Sequence, residues 1–90
     1  MPGGVVIEPH ARERMAERGA TEDEVVATVR GGERFPAKFG RTGFRRNMRF
    51  DAVWRGRHYA TKQLEVFAIE EDGRWVVVTV IVKFLRTACA

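Results

Sequence analysis

Apolar residues recur at helical spacing up to Val29 and at alternate positions from Met48 onward, so helices are expected before a polar middle and strands after it. A short β-prone run, Val5-Val6-Ile7, opens the chain and ends at Pro9. His10 to Arg18 are strong helix formers, and Gly19 follows them as a C-terminal cap. Thr21 and Glu24 are spaced as a capping box, and the acids Glu22, Asp23 and Glu24 suit the positive end of a second helix. Gly31-Gly32 stops it. The first helix is apolar only through Ala11, Met15 and Ala16, the second through Val25, Val26 and Val29. Such a hairpin can cover a face of something else but cannot make a core alone.

After Phe35-Pro36 the residues from Lys38 to Asn47 hold glycines and arginines with no sustained period, so a mobile basic loop is expected over about residues 33–47. From Met48 the period is two: Met48, Phe50, Ala52 and Trp54 alternate with Arg49, Asp51, Val53 and Arg55, a half-buried strand that Arg55-Gly56 turns. The next strand runs from about His58 to Ile69, with a break near Ala60-Thr61. Trp75 to Phe84 then reads as a central strand. A two-residue turn at Asp72-Gly73 would set Lys62 opposite Lys83, so a three-residue loop over Glu71, Asp72 and Gly73 is expected, pairing Glu65 with Thr79 and Thr61 with Lys83. That register turns Leu64, Val66, Ala68, Val76, Val78, Val80 and Val82 toward the helices. It leaves Phe67, Ile69, Trp75, Val77 and Ile81 on an open face that the C-terminal tail, a second copy of the chain or a partner protein would cover. The expected fold is α+β: an N-terminal strand and two-helix hairpin packed on one face of a three- to five-stranded, mainly antiparallel sheet.

Residues 30–62 carry ten basic side chains against Glu33 and Asp51, a segment of +8 in a chain whose net charge is +4. A field of that sign and density suits a polyanion, nucleic acid first among them; a solvated basic surface kept for solubility is the plainer reading. Ninety residues suit a single domain, with its core over about residues 5–84. The longest apolar run, Trp75 to Val82, falls short of the ~18–20 residues of a membrane span. Met1-Pro2-Gly3-Gly4 lacks the basic and apolar regions of a signal peptide, so the chain is expected in the cytoplasm. Cys89 is the single cysteine and reads as an incidental thiol on a frayed tail; with only His10 and His58 as other soft ligands, no metal or other cofactor is expected.

The run His10-Ala11-Arg12-Glu13-Arg14-Met15-Ala16-Glu17-Arg18-Gly19, the capped helix ending in Gly31-Gly32 and the strand Val76-Val77-Val78-Thr79-Val80 together carry a resemblance. Over roughly residues 5 to 84 the chain resembles the bacterial domain-of-unknown-function family 4258, which is grouped with the RelE/ParE-like ribonuclease toxins of toxin–antitoxin modules. The motif is His, three residues, Arg, three residues, then Arg-Gly. The segment Trp54 to Lys62 departs from the plainer family pattern. The resemblance implies a RelE-like fold, a toxin-like endoribonuclease that works without metal, and an antitoxin partner.

Metal-free RNA cleavage needs a base for the 2′-hydroxyl, an acid for the leaving oxygen and cations around the phosphorane-like transition state. His10, Arg14 and Arg18 are spaced by four and drift by only about 40° per step, so they share one edge of the first helix. His10 could exchange protons near neutral pH and Arg14 could grip a phosphate; equally, His10 could cap the helix while the arginines pair with Glu17 or Glu22. A second group is Arg49, His58, Tyr59 and Lys62. Alternation sends His58 and Lys62 to one side and Tyr59 to the other unless the break near Ala60-Thr61 changes the phase. Lys83 ends a strongly apolar strand, where a lysine must snorkel or find a partner. The catalytic candidates are therefore His10, Arg14, Arg49, Tyr59, Lys62 and Lys83, and the RNA-binding candidates Arg41, Arg45, Arg46, Arg55 and Arg57. Phe39 and Phe44 could stack on bases or anchor the loop to the core. Two functions remain open, an endoribonuclease or a non-catalytic RNA-binding or protein-interaction module of the same fold. The chain is expected to pair as a homodimer or with another protein.

Overall fold

In the computed structural model, which describes residues 4–88, the chain runs β1 (Val5–Ile7), α1 (Pro9–Arg18), α2 (Glu22–Gly31), β2 (Glu33–Pro36), β3 (Thr42–Trp54), β4 (Arg57–Glu71) and β5 (Arg74–Leu85). The strands form one sheet in the order β1-β5-β4-β3-β2. β1 lies parallel to β5 and every other neighbouring pair is antiparallel, so the protein is α+β with two helices and a five-stranded mixed sheet. Among the described residues no helix is long and apolar enough to cross a membrane. Cys89 lies outside the described residues.

Local chemistry explains both helices. Pro9 starts α1, where its missing N–H leaves nothing unsatisfied, and the Glu8 carboxylate accepts from the His10 N–H at 3.2 Å. Gly19 ends it at φ 81, and the missing side chain lets the Trp54 ring close in, since a Cβ there would lie 2.7 Å from the indole. In α2 the capping box is complete. Thr21 Oγ1 accepts from the Glu24 N–H at 3.2 Å and Glu24 Oε1 accepts from the Thr21 N–H at 3.0 Å. Ala11, Met15, Val25 and Val29 enter one core with Leu64, Val66, Ala68, Val77 and Val80. Ala16 is exposed and Val26 half-buried; Thr28 takes the inward place beside Val29, its hydroxyl donating to the Glu24 carbonyl at 2.8 Å.

The expected basic loop over residues 33–47 is instead the β2–β3 hairpin, with Glu33 opposite Arg45 and Pro36 opposite Thr42. Its strand character is hidden because arginine stems and a glycine occupy positions that aliphatic residues usually fill. Phe44 is buried, Arg34 lies over the Trp75 ring at 5.0 Å, and Arg45 lies over Phe35 at 4.6 Å. Phe35 crosses the bare backbone of Gly43 to meet Phe67 edge-on, with ring centroids 5.9 Å apart.

The β4–β5 register also differs from the expected one. The turn has two residues, Asp72 at φ 52 and Gly73 at φ 76, and Glu71 pairs with Arg74. An irregularity between Phe67 and Ala68 then shifts the pairing by one, leaving Val78 without an opposite residue. Lys62 therefore faces Phe84, not Lys83. The clash of like charges is avoided by a bulge within the strand, not by a longer turn. The same bulge reverses the inward alternation of β5, so Val77 is fully buried and Trp75 packs edge-on against Phe44 at 5.1 Å. Trp75 and Val77 thus need no outside cover, while Phe67, Ile69 and Ile81 stay half-buried on the side of the sheet that carries Glu65.

Candidate active site

The alternation that turns Leu64, Val66 and Ala68 into the core turns Gln63, Glu65 and Phe67 to the outer side of the sheet. Cross-strand pairing sets them in rows: Arg45, Glu65 and Ile81; Asn47, Gln63 and Lys83; Arg49, Thr61 and Leu85. This side is mostly polar. Arg45 Nε donates to Glu65 at 2.7 Å, with Glu33 at 3.5 Å, and the hydrogen bond to Glu65 holds the guanidinium above its ordinary pKa. Gln63 Nε2 donates to Asn47 Oδ1 at 2.8 Å. Thr61 Oγ1 donates to the Thr87 carbonyl at 2.6 Å, which brings the C-terminal segment back along this side.

One end of the outer side is built differently. Arg49 pairs with Thr61 and Ala52 with Tyr59, so Phe50 and Asp51 together face Ala60 alone, and Asp51 adopts φ 45. A bulge of this kind re-aims side chains, and left-handed backbone at a non-glycine residue is strained. The phase of β4 changes here, the condition on which the second group of candidates depended. Tyr59 and Lys62 both reach Phe84, with the Tyr59 ring at 5.5 Å and the Lys62 ammonium at 5.8 Å. His58 meets Asp51 instead, Nε2 to Oδ1 at 2.8 Å, with the two side chains 57% and 59% exposed. Against an ionised Asp51, which can only accept, Nε2 is the donor, and in the neutral ring Nδ1 is then the acceptor. Arg49 and Asp51 line a shallow cavity of about 290 Å³ with Ala60 and Ala88. Arg49 is exposed and has no bonded partner among the described residues.

The catalytic candidates do not form a single cluster. His10 and Arg14 are exposed on α1 beside Glu13 and Glu17, and Arg14 donates to Glu17 at 3.2 Å, so the charge of that edge is largely balanced. Arg18 donates to the Val80 carbonyl at 2.6 Å. Tyr59 belongs to an aromatic group with Phe50, Trp54 and Phe84. Lys62 is buried, its ammonium donating to the Gly19 carbonyl at 2.7 Å and to both Glu24 oxygens at 3.0 Å. Three donors meet three acceptors, which leaves nothing for a substrate. Arg49 and Lys83 alone of that set lie on the outer side, and Lys83 has no partner among the described residues.

The RNA-binding candidates are similarly divided. Arg41 lies over Phe39 at 5.9 Å, and Arg55 donates to the Glu17 carbonyl at 2.9 Å while lying over Trp54 at 5.2 Å. Arg45 is held by Glu65, whereas Arg46 and Arg57 are exposed without partners among the described residues. Arg46 pairs with Leu64 and so faces away from Arg45. Asp51 was not singled out by sequence. The signal lay in Arg55-Gly56, since a two-residue hairpin there places Asp51 to Val53 near His58 to Ala60.

A family model described as Domain of unknown function (DUF4258) matches residues 7–82. No curated protein and no solved structure gives a significant match.

Proposed function

We propose, for a chain that belongs to the family described as Domain of unknown function (DUF4258), a toxin-like endoribonuclease that cuts single-stranded RNA without metal at the Asp51–His58 end of the sheet. The observation that carries this reading is the 2.8 Å bond that orients His58 at a strained bulge, with the uncommitted cation Arg49 beside it. The fold is proposed to be RelE-like, with both helices on the side of the sheet away from the site. In support, the buried residues of α1 and α2 share a core with Leu64 and Val66, which point away from Glu65 and Gln63.

The chemistry follows from what these groups can do. His58 Nδ1 takes the proton of the ribose 2′-hydroxyl as that oxygen attacks the adjacent phosphorus. Asp51 fixes the tautomer and steadies the imidazolium that forms. Arg49 offsets the negative charge that builds on the phosphoryl oxygens, and its exposed guanidinium can do so bidentately. The bond to the 5′-oxygen breaks, that oxygen takes a proton from water, and the products are a 2′,3′-cyclic phosphate and a 5′-hydroxyl. Lys83 lies further along the same side, where it can hold a neighbouring phosphate.

The test is incubation of the full chain with a labelled single-stranded RNA in excess EDTA. Cleavage to cyclic-phosphate ends is expected, and the same sequence with 2′-deoxyribose throughout should stay intact. Cleavage that EDTA abolishes, or that also cuts the deoxy strand, would overturn the mechanism. The antitoxin belongs to this proposal as well: a neutralising protein should occupy the outer side and suppress cleavage.

A further inference from the structure

Resting on that reading of the site, we infer that single-stranded RNA lies lengthwise along β3 on the outer side of the sheet and stacks one base on Phe39, at the opposite end from His58. Phe39 is the most exposed large apolar residue described, at 85%, in the turn between β2 and β3. Its φ of 62 is one that side chains seldom adopt, so the turn holds the ring outward at a local energetic cost. Solvent is a poor environment for a phenyl ring; a nucleobase is a good one.

Three further observations favour RNA as the occupant. Phe39 borders a groove of about 250 Å³ lined by Ala37, Lys38, Arg41, Phe67 and Thr79. Phe67 and Thr79 pair across β4 and β5, and alternation along β4 puts Phe67 on the side that carries Gln63 and Glu65, so the groove opens onto the same side of the sheet as Arg49. The charge along the path is also right. The segment from Ala37 to Arg41 holds Lys38 and Arg41 with no acid, Glu65 is neutralised by Arg45, and Arg49 and Lys83 remain unpaired among the described residues. An aromatic flanked by cations, with a line of cations leading from it, is the pattern of a single-strand-binding surface. Length is the third. From Arg41 to Asp51 is ten residues, about 33 Å of strand, a span consistent with the ~4–16-nucleotide footprints of single-strand-binding grooves.

The inference predicts a dependence on strand length that a local contact would not give. Binding of labelled oligouridylates of three and ten nucleotides is measured by fluorescence anisotropy, with His58→Gln in every protein so that the probe survives. Phe39→Ala should weaken binding of the ten-nucleotide probe by roughly 5- to 100-fold, and the parent should bind that probe more tightly than the three-nucleotide one, which cannot reach from Phe39 to Arg49. Phe39→Trp should bind the long probe at least as tightly as Phe39, whereas Phe39→Leu should behave like alanine because it is apolar but cannot stack. The ring is almost wholly exposed, lying 5.9 Å from the Arg41 guanidinium, so all three variants should fold as the parent does. Equal binding of the long probe by Phe39→Ala and the parent would overturn the inference and assign the groove to a protein partner. That result, with cleavage intact in proteins that keep His58, would leave the catalytic proposal standing. Phe39-dependent binding without any cleavage by the wild type would uphold the track and remove the catalysis.

Discussion

Replacing Lys62 with methionine keeps most of the side-chain volume and removes the charge from the least hydrated ion pair described. Lys62 is 4% exposed, and its ammonium touches the Gly19 carbonyl, both Glu24 oxygens and, at 5.0 Å, the Phe50 ring. The methionine would leave Glu24 without a counter-charge and the Gly19 carbonyl one donor short. Breaking a buried pair from one side costs ~3–5 kcal/mol. Glu24 keeps 25% of its side-chain exposure and the Thr21 N–H, so a loss of ~2–4 kcal/mol is expected here. In a domain of this size each kcal/mol lowers Tm by ~4–8 °C, which gives a fall of roughly 8–32 °C. Glu24→Gln in the same background should cost less than its single effect implies, with a coupling of about 1–3 kcal/mol. Urea denaturation of the four proteins of that cycle, followed by far-ultraviolet circular dichroism, measures both quantities. A Lys62→Met protein within ~0.5 kcal/mol of the wild type, or strictly additive effects, would show that the Lys62–Glu24 pair does not hold the fold. Cleavage per folded molecule should survive the substitution, because the lysine has no donor to spare.

Asp51→Asn should slow cleavage while stability changes by no more than ~1 kcal/mol, since the pair with His58 is solvent-exposed; cleavage rate and Tm on the same sample decide it. Arg45→Ala should lower Tm, because Glu65 keeps only 12% of its side-chain exposure and loses its cation, whereas Arg46→Ala should leave Tm near its starting value. Arg49→Ala should flatten the log–log salt dependence of RNA binding by roughly 0.7, one phosphate contact, and Arg46→Ala should not change it, as titrations at several salt concentrations would show. Gly32→Ala should destabilise by about 3 kcal/mol, because its Cβ would sit 2.5 Å from the Thr28 carbonyl oxygen and 2.7 Å from that of Arg45, backbone atoms that cannot swing aside. An unchanged thermal midpoint would show that α2 does not end against β3.

The helices were legible because their signals are local. A capping box needs only Thr21 and Glu24, and the stop at Gly31-Gly32 needs nothing from the rest of the chain. The alternation of Met48, Phe50, Ala52 and Trp54 was legible for the same reason, and all four are half-buried. What escaped depends on partners distant in sequence. Arg34 and Arg45 read as loop charges until Trp75, Phe35 and Glu65 are brought beneath them. The bulge that leaves Val78 unpaired has no mark of its own in a run of valines, yet it decides which side Trp75 and Val77 face. In the site, residue type alone cannot distinguish the saturated Lys62 from Lys83, which has no partner among the described residues. His58 stands in the second group but not among the catalytic candidates, and Asp51 in neither, because their pairing exists only once the Arg55-Gly56 turn and the bulge align them.

Proton transfer is proposed at His58 on the outer side of the sheet and not at His10 on the helix. Single-turnover cleavage of one labelled single-stranded RNA in EDTA by the wild type, His58→Gln and His10→Gln separates the two. His10→Gln should cleave at close to the wild-type rate and His58→Gln ~10²–10⁴-fold more slowly, the usual worth of a positioned general base. A slow His10→Gln beside an unimpaired His58→Gln, or no cleavage by the wild type at all, would contradict that assignment.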